Sequence, residues 1–383
     1  MHLLKKFFSS FNKITFKNPK KTKILIYDYT GSEVLIESML YGLEYSIFPA
    51  RLEFFYISPK ILFRMAKKLF VFDFQYLKEI KSYVYKAYLL SCVEYINPKI
   101  VITYIDNDIT FQWLSKKYNN AEFYAIQNGT RTKSGLTELD SKGFIRKFSM
   151  PHFVCFGQND VDNYRKFGHK IDDPVCLGSL RAGYYPVINK IPTRIIFDIC
   201  IISEYAEHNG TINDQIFLGM MNMYIKKNNK SVVIALRNWV SIWANEEYEF
   251  FFKIFGEKVT IIRQNENDRH STYNAMAASN VIIANYSTAA LEAFGWGKKV
   301  LLCNIGDIYG LTVYEIFNQN LFSIKSMDYN IFEKKLNKLL DMDQNEFVEL
   351  TKELRKYTMN YNPELPVHVY MRNIIENLIR DVD

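Results

Sequence analysis

Short runs of consecutive apolar residues, each ending in a polar loop, recur along the chain and give its first reading. Lys23–Asp28 (KILIYD), Lys99–Tyr104 (KIVITY), Glu122–Ile126 (EFYAI), His152–Phe156 (HFVCF) and Pro174–Leu177 predict buried strands. Helical patterns alternate with them at Ser38–Leu43, through much of 60–98, at Thr110–Lys117 and at Val161–Phe167. Strands that are apolar throughout, rather than at every second position, belong to a parallel sheet covered on both faces. The segment Pro186–Arg194 (PVINKIPTR) has two prolines and no period. It reads as a linker. Beyond it the alternation restarts, with strands at Ile195–Ile202, Ser231–Leu236, Val259–Ile262, Val281–Ala284 and Val300–Cys303, and a helix near Ile216–Lys227. The expected class is α/β, with two doubly wound, Rossmann-like parallel-sheet domains facing a cleft. The divisions are a basic arm at 1–22, a first domain at 23–185, the linker at 186–194, a second domain at 195–360, and a C-terminal helix at 361–383 packing back on the first domain.

Composition alters this picture at one end only. With 383 residues and 48% hydrophobic content, the chain can bury two cores of ordinary size. Its net charge is +7, and the first 23 residues contain no acid. Leu3, Leu4, Phe7, Phe8, Phe11, Ile14 and Phe16 stand among the lysines of that arm. The spacing predicts a basic amphipathic helix lying on an anionic membrane surface, and a solvated tail is the alternative. The arm is too interrupted by charge for a secretory signal, and no window approaches the ~18 apolar residues of a spanning helix. The expected location is cytoplasmic, with peripheral contact through the arm. Five scattered cysteines and six histidines form no zinc pattern, so no metal is expected. The basic residues form no stripe, which argues against nucleic acid as a partner.

Candidate chemistry lies in the polar loops that end the strands. Neither GxGxxG nor a Walker A loop is present, and GWGKK at 295–299 follows a helix rather than a strand. Ser287 predicts an N-cap whose hydroxyl and neighbouring amides would face a phosphate. Thr288 and Glu292 share one face of the helix that follows, and a carboxylate there suits ribose hydroxyls. An ordinary capped helix is the alternative. Gln127, Asn128 and Gly129 follow another strand, where their amides suit a sugar or phosphate and an Asn-Gly turn is the plain reading. Asp106 and Asp108 crowd one strand end, where like charges raise one pKa and make a general base; Glu33 and Asp28 are rivals. Arg181, Arg237 and Ser203 end further strands and are candidates for anion contact.

Taken in order, IQNG, HFVCFGQNDVDNYRKFG, CLGSLR and NVIIANYSTAALEAFGWGKKVLL resemble a series in the GT-B glycosyltransferase-like proteins of bacterial surface carbohydrate synthesis. Those relatives carry a Q-H-G or Q-N-G loop, a strand-G-x-x-D/E-helix unit, a G-x-x-R turn and an S-T/S-x-x-x-E-A-x-x-x-G-K-x-V segment. The resemblance spans roughly residues 99–303. It implies that Ser287, Thr288 and Glu292 contact the phosphate and ribose of a nucleotide-sugar donor, and that Gln127, Asn128 and Gly129 lie near the transferred group. Asn128 stands where many relatives have histidine. ALRNW at 235–239 stands where Kdo and polyol-phosphate transferases show a His-Pro pair. The implied activity is transfer of a sugar to a growing capsule, O-antigen or similar surface glycan, with a glycan or lipid-linked acceptor and no bound metal or cofactor. A polyol-phosphate transferase, a sugar-nucleotide epimerase and a non-catalytic membrane-associated assembly partner are the alternatives.

Overall fold

The computed structural model describes residues 14–51, 53–69, 80–140, 143–188, 194–205, 212–238, 241–263, 270–305, 310, 313–317 and 321–380. The first unit contains β1 (Ile14–Thr15), β2 (Ile24–Ile26), β3 (Tyr45–Ile47), β4 (Phe55–Tyr56), β5 (Ile100–Thr103), β6 (Glu122–Ile126), β7 (Ser149–Cys155) and β8 (Lys170–Cys176). Six of these form one parallel sheet in the order β3-β2-β5-β6-β7-β8, while β1 pairs in parallel with β4 outside it. The second unit contains β9 (Phe197–Ile202), β10 (Val232–Ala235), β11 (Thr260–Ile262), β12 (Ser279–Ala284), β13 (Lys299–Cys303) and β14 (Ser323–Ile324). They form a second parallel sheet, β11-β10-β9-β12-β13-β14. The structure is thus α/β with two parallel-sheet units, as the apolar runs predict.

Both faces of the first sheet are buried, which is why its strands are apolar at successive positions. Leu25, Val101, Ala125 and Phe153 pack on one side, and Ile24, Ile26, Ile100, Ile102 and Val154 on the other. The second of these faces also receives Val367, Met371 and Ile375 from the helix Val367–Arg380 at the chain's end. The second unit has a core of its own, built on β9, β10, β12 and β13, into which Phe156 and Tyr185 of the first unit also pack.

Two expectations change. Residues 1–13 of the basic arm lie outside the described residues, and the helix predicted over the arm does not include Ile14–Thr15, which is strand β1. Backbone pairing to Phe55–Tyr56 replaces helical hydrogen bonds there. The segment expected to be a linker from Pro186 instead begins as helix, since Leu180–Ile188 is helical with Pro186 inside it. Residues 189–193 of that segment lie outside the described residues.

Candidate functional site

A cavity of about 870 Å³ opens where the loops after the strands of the two sheets face one another. In the second sheet β9 and β12 are neighbours, and the strand order runs away from them in opposite directions. Crevices at such switch points are where open α/β sheets bind ligands. The loops leaving those two strands supply Ser203, Glu204, Tyr286 and Ser287 to the wall. The first unit supplies Glu33, Glu37 and Asn128, and the helix Leu180–Ile188 adds Arg181 and Tyr184.

Ser287 has the extended backbone of an N-cap, and its Oγ accepts from Ala289 N at 3.2 Å. The helix it caps, Thr288–Gly295, is held by buried Leu291, Ala293 and Phe294, so its amide end is fixed toward the cavity. Thr288 Oγ1 accepts from Thr130 N at 3.2 Å, so the loop after β6 touches the start of this helix. Gly129 lies at the same contact: a Cβ there would sit 3.5 Å from Thr288 Oγ1. Glu292 lies one turn further on and is buried. Its Oε1 accepts from Ser179 and its Oε2 from Tyr273 Oη at 2.7 Å. Burial raises its pKa, against the pull of Arg181 and those two hydrogen bonds. The residue still borders the cavity, but both carboxyl oxygens already have protein donors.

The two arginines differ in their anchoring. The Arg181 guanidinium lies 5.2 Å from the centroid of the Tyr104 ring and is open to the cleft. The Arg237 side chain is exposed on the cavity wall, and its backbone N–H donates to Glu247 Oε1 at 2.8 Å. Glu247 is fully buried and holds two loops at once. It accepts from Ser203 Oγ after β9, and from Asn238 N after β10 at 2.8 Å. The Ser203 hydroxyl, expected to meet an anion, is therefore committed to Glu247. Across the switch point Glu204 Oε1 accepts from Tyr286 N at 2.7 Å.

Of the four acids proposed as a base, only Glu33 lines the cavity. Asp106 is fully buried and paired with Arg131, accepting from its Nε at 3.1 Å and its Nη2, and from Tyr164 Oη at 3.0 Å. The charge of Asp106 keeps the Arg131 pKa raised although burial pulls it down. A carboxylate so enclosed has no path to an acceptor hydroxyl, which corrects the role expected for Asp106. Asp108 caps the helix Ile109–Ser115, accepting from Phe111 N at 2.7 Å, and Tyr27 Oη donates to it at 3.3 Å. It too is a structural group. Asp28 is buried, bonded by Arg51 Nε at 2.7 Å and Thr30 N at 2.8 Å. Glu33 is exposed, with no hydrogen bond or ion pair among the described residues.

Local chain geometry explains that placement. Gly31 has φ +74°, and an added Cβ would strike the Tyr104 ring, so only glycine allows the turn there. The helical turn Ser32–Leu35 follows at once and widens into a π turn at Ile36–Leu40. Such turns recur at functional sites. Glu33 and Glu37 both reach the cavity from it.

The Q-N-G loop divides its labour. Asn128 lines the cavity and its Oδ1 accepts from Arg131 Nη2 at 3.0 Å. Gln127 is buried, donates from Nε2 to Asp160 Oδ1 at 2.8 Å and to Gly129 O at 3.1 Å, and accepts from Phe156 N at 3.0 Å. It braces the loop instead of facing the cleft. Asp160 is the acid of the G-x-x-D stretch, so these two motifs meet in one hydrogen bond. Residues that sequence reasoning did not single out include Glu37, Tyr184 and His270, all on the cavity wall. Glu37 was findable, lying four residues after Glu33. Among the described residues no group of three or more His, Cys, Asp or Glu is placed to hold a metal ion.

No protein-family model matches this sequence, and comparison with curated proteins finds no match. Solved structures do match in shape. The UDP-GlcNAc 2-epimerase from Neisseria meningitidis bound to UDP-GlcNAc is similar at a TM-score of 0.52 and 13% identity, over 93% of this chain and 99% of its own. A putative UDP-N-acetylglucosamine 2-epimerase from Listeria monocytogenes gives 0.56 and 13%, over 95% and 98%. The wall teichoic acid polymerase TagF soaked with CDPG gives 0.51 and 11%, over 95% and 90%. At such identities the likeness is one of fold: this chain has the GT-B-like arrangement of two Rossmann-like units.

Proposed function

We propose that this protein is a glycosyltransferase that moves a sugar from a nucleotide-activated donor to a hydroxyl of a growing bacterial surface glycan, free or lipid-linked. The carrying observation is that Glu33, open and unpaired among the described residues, shares one cavity with the capped helix start at Ser287 and the cations Arg181 and Arg237. The donor nucleotide occupies the second unit's side, with its phosphates at the helix amides. Glu33 takes the proton of the acceptor hydroxyl as its oxygen bonds to the anomeric carbon. The bond from that carbon to the diphosphate breaks, and the helix end and the two arginines meet the charge that appears on the leaving group. The proposal calls for no metal ion. A volume of about 870 Å³ suits it, since ligand pockets run roughly 300–1,000 Å³.

A sugar-nucleotide epimerase is the second reading, favoured by Glu292. It borders the same cavity and burial raises its pKa, which gives the site a second carboxyl besides Glu33.

The test is thermal unfolding of the purified protein with CMP, CDP, UDP, GDP, ADP and dTDP, beside Arg181→Ala. A nucleotide at 100-fold its dissociation constant adds about 2.7 kcal/mol to the folded state. One base that stabilises the wild type, and Arg181→Ala much less, supports the reading; no response from any sinks it. With the donor known, Glu33→Gln is expected to lower kcat about 10²- to 10⁴-fold while leaving nucleotide affinity unchanged. Isotope-labelled donor then separates a glycoside product from an epimerised nucleotide sugar.

A further inference from the structure

The helix Pro59–Leu69 has one packed side and one bare side. Ile61 is buried and Met65 packs against the first unit's core, whereas Leu62 and Phe63 are 49% and 63% exposed. Phe16, 75% exposed, lies at the helix start. It is held there because β1 pairs with β4, Ile57 N donates to Thr15 O at 2.8 Å, and Ser58 Oγ donates to Asn18 Oδ1 at 2.7 Å. Lysines lie over aromatic rings on this helix and on the helix Ile80–Ile96 that packs beside it. Lys67 Nζ is 4.4 Å from the centroid of the Phe63 ring, and Lys60 and Lys21 approach Tyr95 at 6.0 and 5.4 Å. Glu94, the nearby acid, is already paired with Lys68 at 2.6 Å and Arg64 at 3.6 Å. Lys17, Lys21, Lys60 and Lys67 have no carboxylate partner among the described residues.

We propose that this face docks on an anionic bilayer, with Phe16, Leu62 and Phe63 entering the headgroup boundary and the unpaired lysines meeting lipid phosphates. Apolar side chains exposed in this way are disfavoured in water, while the unpaired ammonium groups nearby are free to meet anions. At an anionic interface burial of those side chains and attraction of the charges act together. The exposed aliphatic Leu62 separates this face from a nucleic-acid groove, where cations and stacking rings suffice. None of its residues lines the cavity, so the proposal stands whether or not the reaction assigned above is right.

Flotation of the full chain with vesicles of phosphatidylcholine alone and with phosphatidylglycerol added tests it. The wild type is expected to float with the anionic vesicles, less so at higher salt, and not with the neutral ones. Each basic residue at an anionic surface contributes about a fivefold factor in partitioning, so Lys60→Glu with Lys67→Glu should lower it by about 25-fold or more. Leu62→Ser with Phe63→Ser should also release the protein, and both variants should unfold at the wild-type temperature because these side chains are exposed. Failure of the wild type to bind overturns the proposal. So does binding unaffected by the four substitutions, equal binding to neutral vesicles, or retention on RNA in place of vesicles.

Discussion

Asp160 shows how much the site depends on a residue that never reaches it. Burial pushes its carboxyl up to about 7, from an ordinary 3.8. The hydrogen bond from Gln127 and the charge of Arg131 pull it back down, while the charge of Asp106 adds to the rise. Between about pH 4 and pH 7 the folded protein therefore holds a proton here that the unfolded chain has released. Stability from this group falls as pH rises through that window, by about 1.4 kcal/mol per pH unit, and is level outside it. Asp160→Asn keeps an acceptor for Gln127 and removes the titration. Urea unfolding of the variant between about pH 5 and pH 7 should lose that slope relative to the wild type. Matching slopes would show that Asp160 ionises normally.

At the level of elements, glycines decide where the units can touch. A Cβ on Gly157 would collide with the Tyr357 carbonyl, where the helix Gln344–Thr358 passes the start of the helix Gln158–Lys166. Gly219, inside the helix Ile212–Asn228, has open space around its missing Cβ. Gly157→Ala should destabilise by about 2 kcal/mol or more through forced backbone movement, while Gly219→Ala should stabilise by about 0.5–1 kcal/mol. Paired denaturation curves check both signs. The same contrast explains what the sequence could and could not tell. Strand Glu122–Ile126 is found to the residue and most others to within a few, because burial on both faces leaves continuous apolar runs. Tyr45–Ile47 and Ser323–Ile324 are too short to make such runs. The Ser287 cap follows from local rules. The burial of Asp106 does not, since its partners Arg131 and Tyr164 stand 25 and 58 residues away. Glu247 was likewise invisible, being one acid among several on a helix with nothing local to mark the loops it holds.

Across the whole molecule the chain does not leave its two units independent. After the second unit it returns to the first: Asn360 N donates to Phe156 O at 2.8 Å, Asn360 Nδ2 to Cys176 O at 2.7 Å, and Tyr357 Oη to Asp162 Oδ2 at 2.8 Å. The helix Val367–Arg380 then inserts Val367, Met371 and Ile375 into the first unit's core. In the other direction Trp296 Nε1 donates to Ala182 O at 3.0 Å, and Tyr185 Oη to Asn274 Oδ1 at 2.6 Å. A cavity built from both units needs such bracing, because Glu33 must keep its position relative to Ser287. Met371→Ala should cost about 2–5 kcal/mol, as for other large-to-small changes in a core. If the bracing couples the units, that loss reaches the second one. Hydrogen exchange should quicken by similar factors at Ile102 and Val154, beside the substitution, and at Ile282 and Leu301, in the other sheet. Faster exchange confined to the first pair would mean that the units open separately and that the cavity is held by contacts at its rim alone.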